Sequence, residues 1–169
     1  ASGLSRPAGF TRMAVDSSHP DILDGLVDGA ASPGTYELEV RGLALQDKHL
    51  DVGFPAADKT PVGFGFLVVE QADGGDAEIV IEPGATLSDV ASRINDAHAG
   101  VRASVINTGF AEDPFRLLVA SEATGEAARL RLDADTTFLD FDKIKTGRNL
   151  DVRFEDGEVT RADNKLHDL

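Results

Sequence analysis

The sequence of 169 residues contains no cysteine and no tryptophan, and it has only 16 lysines and arginines against 30 aspartates and glutamates. The absence of cysteine excludes disulfides, thiolate catalysis and zinc–sulfur sites. The formal charge of −14 argues against a nucleic-acid partner, because phosphate groups attract basic surfaces. No apolar run approaches the roughly 20 residues that a membrane-spanning helix needs, and the first residues do not show the pattern of a signal peptide.

Residues 83–118 carry the clearest structural pattern in the chain. Thr86 is a favourable helix N-cap, and Asp89 three residues later completes an acidic form of the capping box. The apolar residues at spacings i, i+3, i+4 and i+7 are Leu87, Val90, Ala91 and Ile94. This single apolar stripe predicts an amphipathic helix over residues 87–99, with Gly100 supplying a left-handed conformation at its C-terminal end.

Two strands are predicted directly after this helix. Val101, Ala103 and Val105 alternate with polar residues, and residues 115–120 form a second apolar segment after a polar turn at 111–114. A period of two is typical of a strand with one covered face. We therefore expect one helix and one hairpin whose apolar faces cover each other.

Outside this unit the pattern indicates mainly strands. They are predicted at residues 35–41, 62–70, 77–82 and 128–133, and on both sides of the turn-forming pair Asp156-Gly157. The segment 62–70 is apolar at nearly every position, which predicts a central strand buried on both faces. Residues 42–61 are polar and contain two prolines, which favours a connection. The predicted class is α+β, mostly antiparallel, with one well-defined helix.

The strands near the two ends of the chain predict a discontinuous subdomain. We expect residues 10–60 and 145–169 to form one β-rich subdomain, because neither segment is long enough to close a core alone. Residues 61–135, which include the helix, are expected to form a second, α+β subdomain inserted into the first. Residues 1–9 are mostly small or polar, and we expect them to form a frayed N-terminal segment.

Several segments, taken in order, match the motifs of one protein family. Residues 84–95, GATLSDVASRIN, resemble the flagellin hook IN motif, in which a G-x-T-L helix start leads to Ile-Asn. The segments 100–105 and 115–125 resemble the strand and the hairpin that follow this motif. The flanks of this region are similar to the head of the flagellar filament cap family (FliD, flagellar hook-associated protein 2). The structural motif positions are Gly84, Thr86, Leu87, Ile94, Asn95, Gly100, Val101, Thr124, Gly125, Gly157 and Asn164.

The resemblance implies a structural protein without a cofactor, a metal or an enzymatic activity. Such a protein caps the distal tip of the bacterial flagellum, outside the cell, and assists flagellin polymerisation through protein–protein contacts. Its implied partners are flagellin, hook–filament junction proteins and, in a ring, other copies of the full-length protein, with no nucleic acid and no membrane. Export through the flagellar channel is also implied. The long coiled-coil helices of full-length cap proteins are missing from these 169 residues, so we expect a head segment.

Other functions stay open at this point. The IN motif also fits a hook–filament junction protein or the outer domain of a flagellin. An alternative of another class is a calcium-dependent adhesion or glycan-binding module that uses the acidic residues Asp133, Asp135, Asp140 and Asp142. This cluster lacks the glycine turn and the bidentate Glu of a 12-residue calcium loop, so we predict a solvated acidic loop.

The sequence offers no recognisable catalytic or cofactor-binding constellation. The histidines are His19, His49, His98 and His167, and their scattered spacing predicts that all four lie at the surface. Gly63 and Gly65 lack the third glycine and the following helix of a dinucleotide-binding loop. Ser18 and His19 are adjacent, a placement that rarely pairs a nucleophile with its base. For Asn95 we expect a hydrogen bond to backbone near the helix end.

Overall fold

The computed structural model describes residues 14–27 and 33–166. The chain divides into two compact units, Ala1–Glu37 and Leu38–Leu169. In the described part of the first unit there is a turn, in which the backbone N–H groups of Ile22 and Leu23 both donate to the carbonyl of His19 at 3.0 Å. The frayed segment predicted at residues 1–9 lies outside the described residues.

The second unit contains one helix and ten strands among its described residues. In chain order the elements are β1 (Leu38–Gly42), β2 (Lys48–Asp51), β3 (Gly65–Gln71), β4 (Asp76–Ile81), α1 (Leu87–Asp96), β5 (Val101–Asn107), β6 (Phe115–Ser121), β7 (Leu130–Asp133), β8 (Phe141–Lys145), β9 (Leu150–Phe154) and β10 (Gly157–Arg161). The strands form three antiparallel sheets with the orders β1-β9-β10, β5-β6-β2-β8 and β4-β3-β7. The predicted α+β class is confirmed. No helix in the described part of the chain is long and apolar enough to cross a bilayer.

The predicted helix and hairpin are both present. Helix α1 begins after the N-cap Thr86, and it buries the four stripe residues Leu87, Val90, Ala91 and Ile94. Strands β5 and β6 pair over their full length, from Val101 opposite Ser121 to Asn107 opposite Phe115. The apolar side chains of the helix and the hairpin belong to one core. Amphipathic spacing therefore identified both elements and the faces that they bury.

The predicted end of the helix was wrong by three residues. Helix α1 ends at Asp96 with Ala97 as its C-cap, whereas the prediction extended it to residue 99. His98 and Gly100 then both adopt left-handed backbone conformations, with φ of 48° and 67°. Two left-handed residues close together turn the chain sharply. Gly100 therefore serves the turn into β5 and does not end the helix.

Residues 42–61 are not simply a connection, because they contain β2. This strand lies inside the four-stranded sheet, where it pairs with β6 on one side and with β8 on the other. The prediction missed it because the buried positions of this strand, and of the residue just before it, are polar: Asp47, His49 and Asp51 are all buried. A pattern search for alternating apolar residues finds no signal in such a strand.

The segment predicted as a strand buried on both faces is covered on only one. Strand β3 begins at Gly65 and is central in its sheet, as expected, with Leu67 and Val69 in the core. Phe64 and Phe66 are exposed, because no described element packs over the outer face of this sheet. The nearly continuous apolar segment therefore reflects one core face and one exposed apolar face.

The buried apolar residues form two separate clusters. The larger cluster surrounds the helix. Its residues lie between Val62 and Leu139 in the chain, and Phe54 also belongs to it. The smaller one comprises Ala44, Leu150 and Val152, with Leu38, Val40 and Leu166 packed against it. Strand β1 pairs with β9 in the sheet of the smaller cluster, while β2 pairs with β6 in a sheet of the larger one. The division into two subdomains stays a prediction.

Candidate functional site

The start of helix α1 is fixed by a reciprocal pair of hydrogen bonds. The hydroxyl of Thr86 accepts from the backbone N–H of Asp89 at 3.4 Å, and the carboxylate of Asp89 accepts from the backbone N–H of Thr86 at 2.9 Å. The backbone N–H of Thr86, followed by its hydroxyl, lowers the pKa of Asp89, because both donors favour the charged carboxylate. Gly84, with φ of 85°, makes the left-handed turn into this cap.

Asn95 lies at the other end of the helix and reaches the neighbouring strand. Its side-chain carbonyl accepts from the N–H of Ala103 at 2.9 Å, and its amide group donates to the carbonyl of the same residue at 2.9 Å. Strand β5 is the edge of its sheet, so these backbone groups would otherwise lack a strand partner. The expectation of a backbone hydrogen bond is confirmed, but its partner lies in β5 and not at the helix end.

The remaining motif residues of this region stabilise the same contact between α1 and β5. Leu87, Ile94 and Val101 are buried in the larger core. The turn at Gly100 is held from outside by Gln71, whose amide donates to the carbonyl of Ala99 at 2.8 Å. The motif positions from 84 to 101 thus form one structural group around the helix and the edge strand.

A second group of motif residues joins distant parts of the chain. Thr124 donates its hydroxyl hydrogen to the carbonyl of Ala162 at 2.6 Å, and the N–H of Gly125 donates to the carbonyl of Leu45 at 3.1 Å. Gly125 has φ of 102°, and a Cβ there would lie 3.0 Å from the Ala162 carbonyl oxygen. A larger residue would therefore be both strained and crowded. Thr124 and Gly125 therefore fix the β6–β7 connection to the segments that contain Ala162 and Leu45.

Asn164 repeats the bonding pattern of Asn95. Its side-chain carbonyl accepts from the N–H of Ala44 at 2.7 Å, and its amide donates to the carbonyl of Ala44 at 3.0 Å. Gly157 has a simpler position at the start of β10, opposite Phe154. The turn between these two residues consists of Glu155 and Asp156, with Glu155 at φ of 51°. The Asp156-Gly157 pair therefore predicted the hairpin correctly. The two turn residues, however, lie one position earlier in the chain than this pair.

A buried polar cluster on and beside β2 is the functional candidate that the sequence prediction missed. Its members are Asp47, His49, Ser121 and Lys143, and the first three are buried. His49 Nε2 lies 2.8 Å from Asp47 Oδ1, while Asp47 Oδ2 accepts from the N–H of Gly147 at 2.9 Å and lies 3.4 Å from Lys143 Nζ. The prediction that all four histidines lie at the surface was wrong, because His49 is only 6% exposed.

The same cluster binds β2 to its neighbours through backbone groups. The hydroxyl of Ser121 accepts from the N–H of Asp47 at 3.0 Å and donates to the carbonyl of Ala123 at 2.7 Å. Lys143 also donates to the carbonyl of Leu130 at 3.1 Å. Buried polar groups with their partners in place fix a single arrangement of the surrounding elements. The buried polar residues at positions 47, 49 and 51 recur at every second position. This spacing was the one signal in the sequence that could have indicated the strand.

Burial changes the proton affinity of two residues on this strand. It lowers the pKa of His49, although the hydrogen bond to Asp47 favours the charged form. Burial likewise raises the pKa of Asp51, against the effect of the backbone N–H groups of Asp140 and Gly53 that donate to its carboxyl oxygens at 3.1 and 2.8 Å. Both shifts disfavour the charged form, as removal from water does.

The acidic residues considered as a calcium site are spread over several elements. Asp133 ends β7, Asp142 lies in β8, and the backbone N–H of Asp140 donates to Asp51. Among residues 14–27 and 33–166, no three His, Asp or Glu side chains form a group that could hold a metal ion. The surface has a depression of about 300 Å³ between α1 and β4, lined by Glu78, Ile79, Val80, Arg93, Asp96 and Ala97.

Solved structures with this fold identify its relatives. The chain is 29% identical to the flagellar cap protein FliD of Bdellovibrio bacteriovorus, with 80% of each chain covered and a TM-score of 0.67. The D2–D3 domains of FliD from Serratia marcescens match at 20% identity over 85% of each chain, with a TM-score of 0.74. Those from Escherichia coli match at 23% identity over 83% of this chain and 80% of that one, with a TM-score of 0.71. No family model and no curated sequence matches the chain.

The antiparallel sheets and the single capped helix form the same fold as the D2–D3 domains of these flagellar cap proteins. The match to the Bdellovibrio protein extends this likeness from the fold to the sequence. The chain is therefore similar, in fold and in sequence, to flagellar cap proteins of the FliD family.

Proposed function

We propose that this chain is part of the cap at the distal end of a bacterial flagellar filament, where it acts through protein–protein contacts and not as an enzyme. The observation that carries the proposal is the 29% identity to a flagellar cap protein over 80% of both chains. The motif residues support it chemically, because most of them pack in the core or form hydrogen bonds with backbone groups within the chain. Buried or backbone-bonded groups of this kind position surfaces and do not form a reaction centre.

The proposed partners are flagellin, the hook–filament junction proteins and other copies of the full-length protein in a ring. In this role the head assists the polymerisation of each newly exported flagellin subunit at the filament end. The protein reaches the tip by export through the flagellar channel. The resemblance of residues 84–125 to the flagellin hook IN region supports this set of partners, since the motif is shared by the proteins of the filament and its ends.

Immunogold labelling of intact flagella tests the position. Antibodies raised against the folded head would label whole flagella of the source bacterium, with a deletion strain as the control for specificity. Gold only at the distal tip is the expected result. Gold at the hook–filament junction would indicate a junction protein, and gold along the filament would indicate a flagellin outer domain. Either of those patterns would overturn the proposed cap function.

A separate experiment tests the assistance of polymerisation. The coding region for residues 38–166 is removed in frame from the full-length gene, and the intact gene is returned on a plasmid as the control. We expect the deletion strain to release flagellin monomer into the medium and to carry few or short filaments. Filaments of normal length, with no increase in released flagellin, would show that this head does not take part in polymerisation.

A further inference from the structure

The sheet β4-β3-β7 has an outer face that no described element covers. Residues of β3 alternate between the core and this face, so that Leu67 and Val69 point inward while Phe66, Val68 and Glu70 lie on the outside. Residues directly opposite in antiparallel strands share a face. The register therefore adds, from β4 and β7, the residues Val80, Glu78, Asp76, Asp133 and Arg131 to the outer face.

One end of this face is apolar and exposed. Phe66 and Val80 are cross-strand partners, and they are 45% and 50% exposed. Phe64 just before β3 is 65% exposed, and Phe138 is 71% exposed. The N–H of Phe138 donates to the carbonyl of Val62 at 2.9 Å, which places this residue beside the same end of the sheet. We call Phe64, Phe66, Val80 and Phe138 the aromatic end. Scattered exposed apolar residues are common, but a cluster of large ones marks a contact surface.

The other end of the face is acidic. Val68 lies between Glu78 and Asp133, and Glu70 lies between Asp76 and Arg131. Arg131 is paired with Glu70 at 3.2 Å. Asp76, Glu78 and Asp133 have no ion-pair partner among the residues that the structure describes, and we call these three the acidic end. Along β3 it begins two residues from Phe66, which is roughly 7 Å in an extended strand.

We propose that this face binds a protein segment in which apolar residues are followed by basic residues. Apolar side chains of the partner would cover the aromatic end, and its lysines or arginines would pair with the three carboxylates of the acidic end. A second copy of the same face fits poorly in the aligned orientation, because it brings acidic ends together in a chain that already carries a charge of −14. The proposal rests on the proposed protein–protein function and names its surface and the chemistry of its partner.

Two synthetic probes test this proposal with the protein itself. The first is a fluorescein-labelled peptide of sequence Thr-Phe-Thr-Leu-Thr-Lys-Thr-Lys, which presents apolar and then basic side chains on one face. The second has glutamate in place of both lysines. Fluorescence anisotropy is expected to show binding of the lysine peptide at least tenfold tighter than of the glutamate peptide, with a preference that weakens as salt is raised. Equal binding of both peptides, or no binding at millimolar concentration, would overturn the proposal.

Variants of exposed residues locate the binding face. The double variant Phe66→Ser, Phe138→Ser is expected to weaken binding of the lysine peptide at least tenfold, while Glu78→Lys reduces the preference for the lysine peptide over the glutamate peptide. The control is Phe110→Ser, since Phe110 is 61% exposed but lies in the β5–β6 connection. An equal loss in the control, or self-association of the protein that the double variant abolishes, would contradict the proposed partner.

Nuclear magnetic resonance gives a second readout that does not depend on substitutions. Addition of the lysine peptide is expected to shift the amide signals of β3 and β4 and to leave those of β9 and β10 unchanged. Shifts confined to β9 and β10 would place binding elsewhere and overturn the assignment of this face. These solution measurements can fail while the gold labelling still finds the protein at the filament tip, so the two proposals are separable.

Discussion

The side chain of Asn95 pairs with the backbone of Ala103 as a neighbouring strand would, by accepting from its N–H and donating to its carbonyl at 2.9 Å each. Ala103 lies on the edge strand β5. This one amide therefore fixes the C-terminal part of α1 against β5 and also occupies part of a free sheet edge. The equivalent pair between Asn164 and Ala44 shows that the chain uses the same device twice.

The first prediction concerns this pair. Asn95→Ala removes both hydrogen bonds and leaves two backbone groups without a partner, so we expect it to lower the free energy of unfolding by about 1–3 kcal/mol. Urea denaturation at constant pH measures this loss. The control is Asn107→Ala, which removes only a hydrogen bond to the N–H of Gly109 in an exposed turn and should cost less. Equal midpoints for the two variants would show that the amide pair does not stabilise the fold.

The second prediction compares the core and the cap of α1. Ile94 is fully buried in the larger cluster, so Ile94→Ala should cost about 2–5 kcal/mol through lost burial and the resulting cavity. Asp89→Ala removes a cap contact and should cost about 1 kcal/mol. We expect Ile94→Ala to unfold at clearly lower urea concentration with the same m-value. If Asp89→Ala were the less stable variant, the assignment of Ile94 to the core would be wrong.

The third prediction concerns pH and His49. Burial lowers the pKa of His49 in the folded state, so the unfolded chain binds the proton first as pH falls below about 6.5. The contribution of neutral His49 to the free energy of unfolding is therefore fully present above that pH. It decreases as the pH falls towards the pKa of the folded state, by at most about 1.4 kcal/mol per pH unit. The groups that face His49 are Asp47, just before β2, and Lys143 from β8.

Urea denaturation of wild type, His49→Gln and His98→Gln between pH 7.5 and 5.5 tests this effect. His49→Gln is expected to flatten the decrease in stability, since glutamine does not titrate. His98 is exposed, and the variant at this position serves as the control with an unchanged slope. If the slope of His49→Gln equals that of the wild type, another group is responsible for the pH dependence.

The fourth prediction concerns calcium. Asp133 and Asp142 lie on separate strands, and a calcium site needs six to eight convergent oxygen atoms. We expect melting temperatures in EDTA and in millimolar calcium to agree within about 1 °C. A ligand at 100 times its Kd that binds only the folded protein would add about 2.7 kcal/mol. A rise of several degrees with calcium would therefore support the adhesion or glycan-binding alternative.

The fifth prediction tests the proposed division into two subdomains. Val152 belongs to the smaller core cluster, so Val152→Ala is expected to accelerate hydrogen exchange in β1, β9 and β10 more than in β3, β5 and β6. Ile94→Ala serves as the reciprocal variant and should affect the larger cluster more. Uniform acceleration throughout all three sheets in both variants would indicate one cooperative unit and contradict the division.

Local sequence predicted the elements whose determinants are close together in the chain. Thr86 and Asp89 are three residues apart, and the four residues of the helix stripe repeat at helical spacing, so the cap and the buried face followed directly from the pattern. The β5–β6 hairpin was predicted for the same reason. The family resemblance also depended on such local motifs, because residues 84–125 carry most of its characteristic positions in order.

The tertiary structure alone decided which polar residues are buried and which apolar residues are exposed. Asp47 and His49 are buried because Ser121, Lys143 and the backbone of Gly147, which are 74, 96 and 100 residues from Asp47 in the chain, supply their partners. Phe66 is exposed because nothing described covers its side of the sheet. Asn95 and Asn164 found backbone partners 8 and 120 residues away. Composition and spacing determine which contacts are chemically possible, but the free energy of burying a polar or apolar group depends on neighbours that only the folded chain brings together.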